Sequence, residues 1–395
     1  MVERKLRVGV AGLGRAFLLM LPTLERHPNV RLVAAADPRA EARVRFAGDF
    51  GANVYASVEE LCADTSVDAI YVATPHQYHA RHVEMAAAAG KHVLVEKPMA
   101  LTLDECRAMT EAVRRAGVQM VIGHSHSFDA PILKTREIIA SGTLGPLRMI
   151  TAMNFTDFLY RPRRPEELRT ESGGGVVFNQ APHHVDVVRY LAGGKTRSVR
   201  AMTGAWDEAR PAEGAYSALL TFENGVFASI AYSGYAHFDS DEFMGWIAES
   251  GYKKDPDQYG GARSLLSRAA SMDDELALKH ARNYGGDAAP PPGGERRWHQ
   301  QFGVLIASCE RGDLRPMPNG VAIYDDVSRR FESIAEPAVP RAEVIDELCD
   351  AVFFGRTPMH NGEWGLATME VCLAILESAR EQREIVLQHQ TAVPG

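Results

Sequence analysis

Lys5-Leu6-Arg7-Val8-Gly9-Val10-Ala11-Gly12-Leu13-Gly14-Arg15-Ala16-Phe17 decides the fold of the first third of this chain. The run from Lys5 to Ala11 reads as a buried strand. Gly12 and Gly14 follow it directly, where the chain turns tightly and brings backbone N–H groups close to an anion at the start of a helix. Position 17, where the dinucleotide fingerprint carries Gly or Ala, is Phe, which puts close helix–strand packing at that point in doubt. A second strand, read at Arg31–Ala36, ends on Asp37, at the separation where an acid accepts hydrogen bonds from a ribose diol. A carboxylate there repels a 2′-phosphate, so Gly12, Leu13, Gly14 and Asp37 imply NAD, with NADP left open by the nearby Arg39. The alternative is two turn glycines and a surface aspartate.

Further apolar runs at Ala69–Ala73, His92–Val95 and Gln119–Gly123 alternate with helical patterns, which predicts a parallel sheet built from strand–helix–strand units. Two intervening helices open on capping boxes, Ser57 with Glu60 and Thr102 with Glu105, in which each side chain satisfies a backbone donor of the first turn. Residues 1–125 are therefore expected to form a doubly wound Rossmann domain. After a helix at about Ile132–Ala140, alternating runs appear at Arg148–Thr156, Val199–Ala205, Tyr216–Phe222 and Val226–Ser233, with two more at Phe302–Ala307 and Val321–Tyr324. These predict an α+β domain over 126–395, built on a large, mostly antiparallel sheet, for substrate binding and oligomerisation. An insertion at about 235–300 is polar as far as Arg282 and turn-rich over Gly285–Gly294, and reads as some helix followed by a mobile loop. Helical patterns over about 340–388 close the chain.

With 395 residues the chain exceeds what one core usually supports, and 46% hydrophobic with 24% charged residues is an ordinary globular balance. A net charge of -8 argues against binding a phosphate backbone, so no nucleic-acid partner is expected. No run approaches the roughly 20 apolar residues of a membrane helix, and no apolar leader follows the charged Met1–Leu6. A cytoplasmic chain without a membrane partner is the expectation. Cys62, Cys106, Cys309, Cys349 and Cys372 are scattered, are never spaced as C-x-x-C, and are expected as reduced core thiols.

Thr74-Pro75-His76 with His79, followed by Gly90-Lys91-His92-Val93-Leu94-Val95-Glu96-Lys97-Pro98, resembles the glucose–fructose oxidoreductase, inositol dehydrogenase and rhizopine-catabolism family, written Gfo/Idh/MocA. The likeness continues through Gly173-Gly174-Gly175, His183, Asp186 and Arg189-Tyr190-Leu191 to the helix around Trp364–Arg383, nearly the whole chain. It implies the Rossmann fold, dinucleotide use with contacts from Thr74, Pro75, His79, Glu96 and Lys97, and Lys97 as an active-site residue. The chemistry of Lys97 is legible without the family. A lysine at the C-terminal end of a parallel strand faces the crevice where such sheets bind ligands, and its ammonium can bond a substrate oxygen and exchange a proton with it. Glu96 is placed to hold it, unless the two form a surface ion pair. Family members commonly carry Asp-x-x-x-His in the second domain, where this chain has Asn179-Gln180-Ala181-Pro182-His183. Asn179 can orient an imidazole but cannot stabilise imidazolium as a carboxylate does, so sugar-dehydrogenase chemistry is not carried over intact. His183 is the expected proton acceptor. His184 reads as packing or capping; Asp186 either shares the face of His183 or makes a helix-surface ion pair.

Asp157-Phe158-Leu159-Tyr160-Arg161-Pro162-Arg163-Arg164-Pro165 sets three arginines in a proline-stiffened loop. Guanidinium forks suit carboxylates, so Arg161, Arg163 and Arg164 are candidate substrate contacts together with Asn179 and His183; the alternative is a solvated basic loop. This loop, the stretch Tyr232–Glu242 and the insertion resemble the branch of the family acting on phthalate cis-4,5-dihydrodiols. That branch implies NAD-dependent oxidation of cis-4,5-dihydro-4,5-dihydroxyphthalate to 4,5-dihydroxyphthalate. The acidic run Asp239–Glu242 lacks an EF-hand pattern or a histidine pair and reads as a solvated turn, and no metal is expected. Two other readings stand beside this one: an NAD-dependent sugar or inositol dehydrogenase, which the arginines disfavour, and a non-catalytic dinucleotide sensor, which Lys97 with His183 disfavours. The second sheet carries more apolar face than its helices cover, which predicts a homo-oligomer, dimer or tetramer.

Overall fold

A computed structural model describes residues 5–123, 126–286 and 298–393. They gather into two compact units, one of Met1–His124, Ala277–Pro292 and Val339–Met369, the other of Ser125–Leu276, Gly293–Ala338 and Glu370–Gly395. Among the described residues no helix is long and apolar enough to cross a membrane.

The first unit is built on six parallel strands, β1 (Leu6–Ala11), β2 (Val30–Ala36), β3 (Asn53–Tyr55), β4 (Ala69–Val72), β5 (His92–Glu96) and β6 (Met120–Gly123). Their order is β3-β2-β1-β4-β5-β6. β4 and β6 are buried at every position, as expected for strands covered by helices on both faces. The order reverses between β1 and β4, so the ligand crevice of such a sheet lies at the ends of these strands and their neighbours. β3 carries no periodicity in the sequence because it has only three residues. Both capping boxes form: Glu60 N–H donates to Ser57 Oγ at 3.3 Å and Ser57 N–H to Glu60 Oε2 at 3.1 Å. Thr102 and Glu105 repeat the exchange at 3.2 and 3.0 Å.

The C-terminal helices, expected with the second domain, divide between the units. Helix Ala342–Phe354 buries Val344, Ile345 and Leu348 in the first unit. There Ile122 N–H of β6 donates to the carbonyl of His360 at 2.7 Å. Helix Gly362–Glu381 starts beside it, where a Cβ on Gly365 would lie 2.8 Å from Met99 Sδ and Ile122 Cγ1, so a larger residue there would force those side chains to shift. Part of the insertion returns to the same unit: Tyr284 packs edge-on to Phe17 with ring centroids 5.2 Å apart. The rest of the turn-rich stretch, from Asp287 to Gly294, lies outside the described residues.

The second unit holds β7 (Leu147–Phe155), β8 (Thr196–Gly204), β9 (Ala215–Phe222), β10 (Phe227–Ser233), β11 (Val304–Cys309), β12 (Gly312–Met317), β13 (Gly320–Asp325), β14 (Arg329–Ser333) and β15 (Ile385–Val386). They form one sheet in the order β14-β13-β12-β11-β7-β10-β9-β8-β15. Every pairing is antiparallel except β7 with β10. The sequence reading missed β12, which contains Pro316, the charged edge strand β14, and the two-residue β15. Helix Ala181–Ala192 buries every residue but Tyr190, whereas one set of alternate strand positions stays open: Met202 is 55% exposed, Leu219 46% and Phe227 43%. All five cysteines are free, four of them buried and Cys309 partly so.

Candidate functional site

In the first unit the turn after β1 forms as the glycines require. Gly12 has φ +94°, and a Cβ there would lie 2.9 Å from the carbonyl oxygen of Ala73, so no other residue fits. Beyond Gly14 nothing lies within 4 Å of where a Cβ would be, and helix Arg15–Arg26 begins there with no side-chain cap. Free space before uncapped N–H groups fits a bound pyrophosphate. Asp37 is buried; its Oδ2 accepts Leu13 N–H at 2.8 Å and its Oδ1 accepts Arg39 Nε at 3.0 Å. Arg39 also donates from Nη2 to Leu13 O at 2.7 Å, so it braces the turn rather than lying solvated. Phe17 is fully buried and packs at a tilt against Phe46, ring centroids 5.8 Å apart, which fills the position that usually takes glycine.

His79 links the two loops that carry the family-like signature. Its Nε2 lies 2.9 Å from Thr74 O and its Nδ1 2.9 Å from Pro98 O. Two carbonyls favour the charged ring, but burial is the larger effect and pushes its pKa down. The imidazole thus fixes the segment holding Lys97, which follows β5 directly at the C-terminal edge of the sheet. Glu96 accepts the Tyr71 hydroxyl at 2.6 Å.

In the second unit the triple glycine opens helix Gly175–Asn179. Gly175 has φ +78° and leaves no room for a Cβ beside the Glu213 carboxylate, whose Oε1 accepts Val177 N–H at 3.0 Å. Asn179 Nδ2 donates to Gly175 O at 2.7 Å and Gly173 O at 3.3 Å, so this amide hydrogen-bonds the glycine turn that precedes His183. His183 is 4% exposed and stands edge-on to His126, ring centroids 4.7 Å apart, with Phe302 4.9 Å away. His126 was not foreseen. Its Nδ1 lies 3.0 Å from Asp129 Oδ2 and its Nε2 3.5 Å from Glu249 Oε1. Burial opposes the imidazolium, but its hydrogen bonds to both carboxylates hold the pKa of His126 above the usual value. A small recess adjoins the cluster, lined by His126, Ile132, His184, Met244, Phe302 and Leu305 among others.

His184 packs, as one of its two readings had it. Its Nδ1 lies 2.8 Å from the Tyr216 hydroxyl, and burial, with the His126 charge adding to it, pushes its pKa to about 3. Asp186 is wholly buried, which rules out a helix-surface ion pair. Burial lowers Arg189 to about 10, and the charge of Asp186 opposes that fall.

The three loop arginines separate. Arg163 is buried; its guanidinium lies 3.6 Å from the Phe158 ring centroid and donates from Nη2 to Phe158 O at 2.6 Å. Arg164 Nε lies 3.3 Å from Glu167 Oε2 and 3.2 Å from Glu166 Oε1. Both brace the loop. Arg161 donates from Nε to Asp157 Oδ1 at 3.2 Å and keeps a third of its side chain exposed. Burial would lower its pKa, but the charges of Asp157, Tyr232 and Glu249 raise it. Arg161 therefore shares its surroundings with the histidine cluster through Glu249. The acidic run is no solvated turn: Lys254 Nζ lies 2.5 Å from Asp239 Oδ2 and 2.6 Å from Asp241 Oδ2, and Asp241 is 5% exposed.

Two family descriptions match the chain, the oxidoreductase family with an NAD-binding Rossmann fold over residues 6–124 and the GFO/IDH/MocA C-terminal domain over 132–247. A Comamonas testosteroni protein named 1-carboxy-3-chloro-3,4-dihydroxycyclohexa-1,5-diene dehydrogenase is 47% identical over 390 residues, 98% of each chain. The inositol 2-dehydrogenase of Rhizobium meliloti (strain 1021) is 28% identical over 60% of this chain and 71% of its own. A crystal structure described as a dehydrogenase from Bordetella bronchiseptica RB50 superposes with a TM-score of 0.91 at 41% identity, covering 97% of this chain and 100% of that one.

Proposed function

This chain belongs to the GFO/IDH/MocA family of NAD-binding oxidoreductases, and from that premise we propose that it oxidises a cis-dihydrodiol of an aromatic carboxylate to the corresponding catechol. The observation that carries the reading is 47% identity over 98% of both chains with a dehydrogenase named for a carboxylated cyclohexadiene diol. Arg161 supports it, as the loop arginine that stays a third exposed and hydrogen-bonds from Nε to Asp157, leaving its terminal nitrogens for an incoming carboxylate. The finer reading is cis-4,5-dihydro-4,5-dihydroxyphthalate, going to 4,5-dihydroxyphthalate; its two carboxylates suit a basic loop, and neutral polyols need none.

NAD, when bound, supplies the hydride acceptor. The hydroxyl-bearing carbon gives up hydride and its O–H gives up a proton, which forms a ketone; the neighbouring carbinol carbon then loses its proton as the ketone oxygen takes one up, and this tautomerisation gives the catechol. Lys97 and His183 are the residues proposed to handle the hydroxyl proton, and Gly12, Leu13, Gly14 and Asp37, with Thr74 and Pro75, to hold the dinucleotide. Purified protein is assayed for NADH formation on carboxylated dihydrodiols, their uncarboxylated analogues, inositol and aldoses. Turnover confined to carboxylated diols is expected; preference for inositol or an aldose would overturn the reading.

A further inference from the structure

We propose that His126, His183 and Glu249 hold a divalent transition-metal ion, and that its remaining coordination positions take the two vicinal oxygens of the diol. The ion itself stands on geometry in one unit, and only its ligand rests on the dihydrodiol reading. The sequence led to the opposite expectation because the donors come from three distant segments: a turn after β6, the first turn of helix Ala181–Ala192, and the insertion.

One donor atom from each of the three residues lies within 4.8 Å of the other two. His126 Nε2 and Glu249 Oε1 are 3.5 Å apart, close to the separation of about 3.4 Å that two bonds of about 2.0–2.1 Å subtend at a tetrahedral ion. His126 also has the outer partner that metal-bound histidines usually have. Its Nδ1 faces Asp129 Oδ2 at 3.0 Å with both side chains buried, so Nδ1 can donate there while Nε2 faces the cluster, where an ion would take the place of the Nε2 proton. Two imidazoles and one carboxylate are a donor set of zinc and of first-row divalent ions generally, and they leave positions open. The Phe302 ring, 5.1 Å from the His126 centroid and 4.9 Å from that of His183, walls the cluster with apolar surface. Vicinal oxygens chelate in a five-membered ring, so an ion here would both orient a cis-diol and acidify one hydroxyl. That O–H breaks, its proton passing to a base, while the C–H bond delivers hydride to NAD. The ion neither gains nor loses electrons. His183 is then a ligand, and its share in proton handling passes to the ion.

The full chain, stripped with a chelator and dialysed, is titrated with Co²⁺ without NAD or diol. About one equivalent per chain, with visible absorption bands that Zn²⁺ abolishes, is expected. Asp129→Asn should weaken Co²⁺ binding about ten- to a hundredfold, and His126→Ala or Glu249→Gln should weaken it further, with circular dichroism unchanged. A carboxylated diol or catechol should shift the bands. No Co²⁺ bands, or full NADH turnover in the stripped chain, overturns the ion and leaves the dihydrodiol reading standing. Bands indifferent to every diol overturn chelation of substrate. Unaltered binding in the Asp129, His126 and Glu249 variants places the ion elsewhere and also overturns the proposal.

Discussion

Arg161 and Arg163 stand two positions apart in one loop, yet the structure gives them different tasks. Arg161→Gln is expected to lower kcat/KM for a carboxylated dihydrodiol about ten- to a hundredfold while leaving an uncarboxylated analogue within about twofold, the loss of one charge-assisted bond of roughly 1.5–3 kcal/mol. Arg163→Gln removes a buried guanidinium from the Phe158 ring and carbonyl, so its effect falls on Tm for every substrate alike. Steady-state kinetics beside thermal melts separate the two. Lys97→Ala should abolish turnover and keep NAD affinity within about tenfold, because the ammonium acts mainly at the reacting oxygen; retained kcat by that variant assigns the proton to another group. Lys97 and His183 could be proposed from the sequence because a motif or a chain position marks them. His126 was not: the spacing to Asp129 is visible, but nothing local pairs it with Glu249.

At the scale of elements, the β1 turn and helix His79–Ala88 carry the clearest consequences. Phe17 occupies a fingerprint position where the sequence raised a doubt about packing, and its burial against Phe46 and Tyr284 answers it. Phe17→Ala should destabilise the fold by about 3–5 kcal/mol, read from denaturant midpoints. Helix His79–Ala88, which follows β4, makes stability depend on pH. Burial, aided by the charges of His79 and Arg81, depresses His82 to about 4 in the folded chain, against about 6.5 when unfolded. Between those values the unfolded chain binds a proton that the folded one refuses. Stability is therefore expected to fall as pH drops from about 6.5 toward 4 and to be unaffected by this group above that window. The His82→Gln variant should show a shallower fall; an identical slope would contradict the assignment. The parallel strands and capping boxes were readable because burial on both faces and first-turn caps are local patterns. The placement of helix Ala342–Phe354 was not, since an apolar helix face does not say which sheet covers it.

For the whole molecule, the open face of the nine-stranded sheet is the main unanswered surface within the second unit. Exposed Met202, Leu219, Phe227, Ile306 and Phe331 sit on its strands, and a second copy of the chain is the expected cover. Sedimentation should give a dimer or tetramer at micromolar concentration, and a monomer would contradict this. The central claim is the substrate class, and it is tested by comparing initial rates of NADH formation on a carboxylated cis-dihydrodiol and on myo-inositol with the same enzyme at the same concentrations. The account predicts rapid, stoichiometric conversion of the carboxylated diol to its catechol and negligible rate on inositol; a faster rate on inositol, with no catechol formed from the diol, would contradict it.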